Sequence, residues 1–173
     1  MRIAISSKSG CGNTTVTTLV SQILGYPMIN FTFRSLAKER NMDFWDFCRL
    51  AETSDEPDRE VDSRQVRLAL ASKDCVLGSR LAIWMLKEAD LKVYLTASPE
   101  ERARRIQKRE GGTLEQRMRE TCERDAHDSA RYKRLYGIDN SDTGVADLVI
   151  DTTGIPAEEV ASRIVAKARS LGA

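Results

Sequence analysis

Arg2-Ile3-Ala4-Ile5-Ser6-Ser7-Lys8-Ser9-Gly10-Cys11-Gly12-Asn13-Thr14-Thr15-Val16 is the stretch on which the fold class turns. Residues 2–6 are a short β-type run, and residues 7–12 are a turn rich in glycine and serine. Beyond it Val16, Leu19, Val20, Ile23 and Leu24 recur three and four apart, the period of a helix with one apolar face. Gly25 ends that helix and Pro27 stands just past it, the usual punctuation of a helix C-terminus. The chain opens strand, glycine loop, helix.

The same alternation continues outward. Residues 30–72 read as mostly helical and unusually charged. Phe33, Leu36 and Ala37 mark one helix there; Phe44, Phe47, Cys48, Leu50 and Ala51 mark a second. A loop around Pro57 is expected over residues 53–58, and a third helix over about 59–71. Cys75-Val76-Leu77-Gly78 reads as a strand, residues 81–87 as a short helix, and Leu91-Lys92-Val93-Tyr94-Leu95 as another strand. Ser98 caps a helix that has Pro99 first and two glutamates after it. Gly111-Gly112 breaks that helix, and Thr113 opens one that runs to about Tyr136. Residues 145–150 read as a strand, residues 155–168 as a last helix, and Pro27-Met28-Ile29 has the makings of one more strand. Strands alternating with helices give an α/β fold with a parallel, doubly wound sheet.

The chain has 173 residues, and one domain is expected, long enough to bury a single core without staples. Hydrophobic residues at 41% and charged residues at 31% exclude collagen-like, low-complexity and wholly disordered chains. Lys and Arg number 27 against 26 Asp and Glu, a net charge of +1. Such a chain is no generic polyanion binder, so no nucleic-acid polymer is expected as partner. Any bound anion must be held by locally placed basic groups. Cys11, Cys48, Cys75 and Cys122 form no C-x-x-C pair, and His127 is the one histidine. A His-rich metal site is excluded. No apolar run approaches the roughly 18 residues of a membrane span, and no signal peptide is visible. A soluble, cytoplasmic protein with free thiols and no membrane partner is expected. Trp45 and Trp84 are expected in the core, and His127 at or near the surface.

The first turn, Ser7-Lys8-Ser9-Gly10-Cys11-Gly12-Asn13-Thr14-Thr15, has the offsets of the phosphate-binding G-x-x-x-x-G-K-[ST] loop between a strand and a helix. Small residues let backbone N–H groups point at a phosphate beside the positive end of a helix. Residues 7–15 are the candidate ATP-binding segment, and the Thr14 hydroxyl is the candidate Mg²⁺ ligand. Ser7 stands where the first glycine belongs and Asn13 where the lysine belongs. The backbone cradle survives both changes; the lysine's charge must come from Lys8 or another basic group. The plainer alternative is an ordinary glycine-rich βα turn.

On the helix over residues 113–136, Arg117, Thr121, Arg124, Asp128 and Arg131 are spaced to share one face. Leu114, Met118, Cys122 and Ala126 fall on a neighbouring face that is expected to pack inward. Guanidinium forks bind phosphate oxygens, and an acid among them can accept from sugar hydroxyls. The alternative is a solvated face of weak ion pairs. Arg102, Arg104, Arg105, Lys108 and Arg109 precede Gly111-Gly112, a basic helix end that can hinge over a triphosphate or merely complement the helix dipole.

Several stretches taken together resemble one family. Phe33-Arg34-Ser35-Leu36-Ala37, Asp58-Arg59-Glu60-Val61-Asp62-Ser63-Arg64-Gln65, Ala89-Asp90-Leu91-Lys92, Arg131-Tyr132 with Tyr136-Gly137-Ile138-Asp139, and Asp147-Leu148-Val149-Ile150 are similar to the short, archaeal-type cytidylate kinases. The resemblance spans nearly the whole chain. It implies a P-loop nucleoside monophosphate kinase fold with a five-stranded parallel sheet, a monophosphate-binding region over about residues 30–72 and a lid over about 105–113. The core is then 1–29, 73–104 and 137–173 of a single domain over residues 1–173. It implies transfer of the γ-phosphoryl of ATP to CMP or dCMP, with ATP and Mg²⁺ as cofactors, by a monomer. By resemblance Arg34 and Arg59 hold the monophosphate, Arg80 is the arginine of a Gly-Arg motif on the substrate, and Asp128 meets the sugar. Arg124 and Arg131 contact the transferring phosphates, and Arg105 and Arg109 belong to the lid.

The chain departs from the family at Gly78-Ser79, where Glu-Gly is usual before Arg80, and at Ile29-Asn30-Phe31, where a Ser-Ala-Gly-type segment is usual. Phosphoryl transfer needs positioning and charge rather than a base or nucleophile, which suits a chain with one histidine. Three readings stay open: a CMP/dCMP kinase, a nucleotide-binding protein of kinase fold with weak or lost transfer, and a kinase of another small substrate.

Overall fold

A strand covered on both faces reads as an unbroken apolar run, and Ile3-Ala4-Ile5 at the centre of β1 (Arg2–Ser7) has no exposure at all. The computed structural model describes the backbone of residues 1–173 and every side chain except those of Phe44, Trp45, Cys48, Ala51 and Glu52. The core position expected of Trp45, the helix face expected of Phe44, Cys48 and Ala51, and the free thiol of Cys48 lie outside the described residues. β1 pairs on one side with β3 (Cys75–Gly78), Ile3 opposite Val76, and on the other with β4 (Leu91–Thr96), Ile3 opposite Leu91. β2 (Met28–Ile29) and β5 (Leu148–Asp151) form the edges. All pairs are parallel, in the order β2-β3-β1-β4-β5. The expected doubly wound parallel sheet is the one observed. Its connections reverse direction at β1, and the crevice at the carboxyl end of such a strand is where open α/β sheets bind ligands.

α1 (Asn13–Leu24) and α8 (Ala157–Ser170) cover one face, with Val16, Val20, Val160 and Ile164 packed on Ile3 and Ile5. α4 (Glu56–Ala71) and α5 (Ala82–Met85) cover the other, where Ala69, Ala82 and Ile83 meet Ala4, Leu77 and Tyr94. α2 (Phe33–Glu39), α3 (Phe44–Thr53) and the start of α4 enclose a small core of their own around Phe47, Leu36 and Val61. α6 (Pro99–Glu110) and α7 (Leu114–Tyr136) are a helical hairpin joined by Gly111-Gly112-Thr113. Ser98 and Thr113 cap them as expected, each side chain accepting from an N–H three residues on. Trp84 is half-buried, edge-on to Tyr94, and His127 is exposed. Cys11 and Cys75 are buried free thiols, and Cys122 is exposed and free. Among the described residues no helix is long and apolar enough to cross a membrane.

Three expectations are corrected. Pro57 sits in the first turn of α4 rather than in a loop, because proline at a helix start loses no hydrogen bond. The last strand begins at Leu148, not at residue 145, since the segment before it is a turn closed by Ala146 N–H on Thr143 O. The third concerns α7. Met118, Cys122 and Ala126 are exposed, while Thr121 is buried and Arg117, Asp128 and Arg131 are half-buried. Over residues 117–131 the polar stripe is turned inward except at Arg124, and Met118, Cys122 and Ala126 face water, while Tyr132 and Leu135 near the end of the helix are buried.

The reason is a buried ion pair. Arg102 on α6 is 6% exposed. Its Nη1 and Nη2 donate to the two carboxylate oxygens of Asp125 on α7 at 2.7 and 2.8 Å, and its Nε donates to the Ser9 carbonyl at 2.6 Å. This fork orients α7 and grips the loop after β1 in one contact. Asp125→Asn leaves the buried guanidinium half-paired, an expected cost of about 3 kcal/mol. A thermal melt should show the midpoint lower by about 6–12 °C for a chain of this size; a shift of less than about 2 °C refutes the account.

Candidate active site

The loop between β1 and α1 is shaped by two glycines. Gly10 has φ +83°, and a Cβ there would meet the Arg102 carbonyl oxygen at 2.8 Å, so no side chain fits. Gly12, φ +92°, is the residue before α1, and no side chain caps that helix. The first amides of α1 are therefore left for a ligand, at the positive end of the helix. Residues 12–15 line a cavity of about 550 Å³ that also takes in residues 7–10, Gly78 and Ser79. Six basic side chains border it, Lys8, Arg80, Arg105, Lys108, Arg109 and Arg124, and no acidic one does. In a chain of net charge +1 that segregation marks a site for a highly charged anion.

Asn13 lines this cavity, but its amide is turned into the sheet. Nδ2 donates to the Ile5 carbonyl at 3.1 Å, and Oδ1 accepts from Thr17 Oγ1 at 3.1 Å. Gly78 makes the room: a Cβ there would lie 2.8 Å from Asn13 Oδ1 and closer still to Thr17 Oγ1. The two departures from the expected motifs, at Asn13 and at Gly78, are thus one packing solution. Asn13 thus leaves only its backbone facing the loop cavity, and the positive charge around that cavity comes from the six basic side chains. Thr14 stands exposed at the first turn, its hydroxyl free to meet a metal carried by phosphates.

Arg80 reaches across from the end of β3. Its Nη2 donates to Ser9 Oγ at 2.8 Å, and its Nη1 is ion-paired with Asp128. Burial pulls its guanidinium below the ordinary arginine value, with nearby Arg124 and Arg131 pushing the same way. Arg124 is exposed at the rim. Arg105 is anchored in mid-helix, its Nε on Glu101 at 2.9 Å and its Nη atoms on Thr152 Oγ1 and O at 2.9 and 2.7 Å. Arg109 is exposed and paired with Glu110. Lys8 borders this cavity and a second one of about 240 Å³ beside Tyr94 and Thr96.

The other expected residues lie elsewhere. Arg131 pairs with Asp128 at 3.3 Å and Asp58 at 3.6 Å. Arg59 donates to the Leu135 carbonyl at 3.1 Å and lies over the Tyr136 ring. Arg34 is exposed on α2, and neither it nor Arg59 nor Arg131 borders the loop cavity. Sequence reasoning missed Ser79 in the cavity and Asp125 beneath it. It also missed the acids Asp58 and Asp62, whose four-residue spacing on α4 was the signal available.

Comparison with known proteins decides the class of this anion site. Residues 2–154 match the cytidylate kinase-like family. The chain belongs to that family. It is 44% identical over 164 residues to a protein of Borreliella afzelii named cytidylate kinase 2, covering 92% of each chain. It is 41% identical over 173 residues to a cytidylate kinase of Methanocorpusculum labreanum, covering 99% of this chain and 98% of that one. Shikimate kinase from Acinetobacter baumannii, solved with shikimate, superposes with a TM-score of 0.65 at 18% identity, over 99% of this chain and 94% of its own. That likeness shows the P-loop kinase fold. Membership of the cytidylate kinase-like family makes the chain a phosphotransferase, a nucleoside monophosphate kinase.

One further group in this kinase is electrostatically unusual. Asp62 Oδ2 accepts from Tyr136 OH at 2.7 Å where α4 meets the end of α7. Burial pushes the Asp62 carboxyl up to about 6, against the pull of the Tyr136 hydrogen bond. A raised folded-state value stabilises the fold at low pH and is lost as the pH rises through it. Asp62→Asn keeps an acceptor for Tyr136 and carries no charge. Its stability should gain on the parent's as the pH rises, by about 1.4 kcal/mol between pH 5 and pH 7.5, read as a relative rise of about 3–6 °C in thermal midpoint. Paired melts at those two pH values check this, and a constant difference counts against it.

Proposed function

We propose that the chain transfers the γ-phosphoryl group of ATP to CMP or dCMP, giving ADP and the nucleoside diphosphate. The observation that carries the reading is the loop cavity, with its uncapped helix start and six basic side chains, in a chain whose relatives are named cytidylate kinases. The triphosphate lies along the amides of residues 12–15. Its base takes the adjoining cavity of about 190 Å³, walled by Val16, Ile155 and Val160 and by the Arg105 guanidinium. Anchoring to Thr152 and Glu101 keeps that guanidinium in place as the wall of the base site.

The metal's donor set is consistent with magnesium. The Thr14 hydroxyl is the side-chain oxygen at the usual position, and no carboxylate borders the cavity, so phosphates and water would supply the other ligands. When bound, the ion neutralises charge on the β- and γ-phosphate oxygens. The chain's own part is geometric. The transition state is loose, with charge spread over the transferring oxygens. Arg80 and Arg124 both border the cavity, and Arg80 is pre-set by Ser9 and Asp128. Donors already in place need no reorganisation when charge develops. Arg131, held between Asp128 and Asp58, lies on the side of the acceptor nucleotide. The alternative of a nucleotide-binding protein with weak transfer is favoured by one observation, the inward turn of Asn13. Two arginines at the phosphates answer it.

A coupled ADP-release assay with ATP and Mg²⁺ tests the reading. CMP or dCMP should be phosphorylated faster than AMP, GMP or shikimate, and equal turnover of AMP, or none of any nucleotide, refutes it.

Arg124→Ala should lower kcat/KM roughly a hundredfold, on the order of 3 kcal/mol of transition-state stabilisation. Its thermal midpoint should stay within about 1 °C of the parent's, because the residue is exposed. Lys8→Ala should cost less than about tenfold. The reverse ranking would make Lys8 the replacement for the loop lysine.

A further inference from the structure

Arg117 is part of the row on α7 whose spacing suited an anionic ligand, yet it borders neither the loop cavity nor its two neighbours. Its side chain is 17% exposed and is spent on the turn between α6 and α7. Nε donates to the Gly111 carbonyl at 2.8 Å, and Nη2 to the Glu110 carbonyl at 3.5 Å. Nη1 is ion-paired with Glu120 at 2.6 Å and lies 3.7 Å from the Glu110 carboxylate. One guanidinium thus takes two carbonyls at the end of α6, where a helix leaves them without intrahelical partners. Gly112 makes the approach possible: its φ is +84°, and a Cβ there would stand 3.1 Å from Arg117 Nε and Nη2. From the other side Gln107 Nε2 donates to the Gly112 carbonyl at 3.0 Å. The glycine pair is therefore tied by α6 and α7 together, and it serves as a seat for Arg117.

What this seat holds is the last turn of α6. Lys108 and Arg109 lie in that turn, both exposed, and both border the loop cavity. Arg109 Nε donates to Glu110 Oε1 at 3.0 Å, and the other oxygen of that carboxylate is the one beside Arg117. The Arg117 guanidinium therefore acts on Arg109 by two routes, through the Glu110 backbone and through its side chain. A helix end with unmade carbonyls is the first part to fray. Once frayed, this turn would spread the charge of Lys108 and Arg109 over many positions, and a polyanion would have to order them on binding. Held, they present that charge in advance. Arg102 and Asp125 already join the two helices deeper in the hairpin, so the tie at its tip is not what keeps α6 and α7 together.

We propose that Arg117 is a positioning residue for the donor triphosphate: it clamps the last turn of α6 and so aims Lys108 and Arg109 at the phosphates. This rests on the reading that the loop cavity holds ATP, and it gives that site a residue that never touches the ligand. An arginine with a merely structural part would change the stability of the hairpin tip and leave the affinity for a triphosphate as it is.

Calorimetry with the β,γ-imido analogue of ATP and Mg²⁺ tests this without turnover. Arg117→Ala should weaken binding of the analogue about tenfold, the advantage of donors already in place. Lys108→Ala combined with Arg109→Ala should weaken it about thirtyfold. In that background Arg117→Ala should cost less than about twofold more, because residues that act through one another are non-additive. CMP binding should stay within about twofold of the parent's in Arg117→Ala. Hydrogen exchange should speed up at the Gly111 amide, which donates to the Gln107 carbonyl at 2.7 Å, and leave β1 and β4 protected. Arg117→Lys keeps the charge but loses the fork, so it separates aim from charge and serves if Arg117→Ala does not fold; it should weaken the analogue about threefold. Unchanged affinity for the analogue in both variants overturns the proposal, and so does a loss of the same size with and without Lys108 and Arg109. An unaltered chain that fails to bind the analogue overturns the placing of ATP in the cavity, and the proposal with it.

Discussion

The Arg102 guanidinium is the contact on which the site depends. One buried side chain satisfies both oxygens of Asp125 and the carbonyl of Ser9. Removing an ion from water is unfavourable unless its hydrogen bonds are made good, and here every nitrogen of the fork has a partner. The geometry is therefore narrow. It sets how far α6 stands from the loop, close enough that Gly10 can carry no side chain. It also sets which face of α7 turns inward. Because Asp125 must meet Arg102, the neighbouring Asp128 and Arg131 are carried toward β3 and α4, and Met118 and Cys122 are left in water.

From that constraint the rest of the polar row follows. Asp128 holds Arg80, Arg80 holds Ser9 Oγ, and Arg131 spans Asp128 and Asp58. The loop is thus gripped twice at Ser9, through its carbonyl by α6 and through its hydroxyl by the arginine after β3. Such a loop keeps its amides oriented without a lysine side chain to organise them. The inward turn of Asn13 fits the same picture. Its amide ties the start of α1 to Ile5 and occupies the space that Gly78 leaves open. In the proposed reading the phosphates would be held by guanidinium forks, which are planar, permanently charged and suited to two oxygens at once. The basic lining of the cavity supports that account.

The order of elements, the glycine loop and its place at the switch of the sheet were legible in the sequence. They rest on short-range physics: apolar period, helix caps at Ser98 and Thr113, and a stop at Gly25. The kinase family was legible too, through stretches scattered along the whole chain. Within the site, the loop, Arg80, Arg105, Arg109 and Arg124 were singled out from the sequence, and all of them except the buried Cys11 of the loop border one cavity. Arg59 was assigned to the monophosphate by resemblance alone, and local pattern gave no sign of its contacts with the Leu135 carbonyl and the Tyr136 ring, contributed by a helix far along the chain.

What the sequence determined by itself is whatever a residue settles with its near neighbours: backbone periodicity, chain reversals, and the small side chains that let a loop approach a phosphate. What only the tertiary structure decided is where polar side chains find their partners. Asn13 turns inward because Ile5 offers a carbonyl and Gly78 offers space. Thr121, Asp128 and Arg131 on α7 turn inward because Arg102, which lies 23 residues from Asp125, is already committed to the loop. Asp58 keeps an unpaired oxygen because α4 and α7 bring it one guanidinium and no second donor. Hydrogen bonds and ion pairs of this kind are directional and close over long sequence separations, so local pattern carries no record of them.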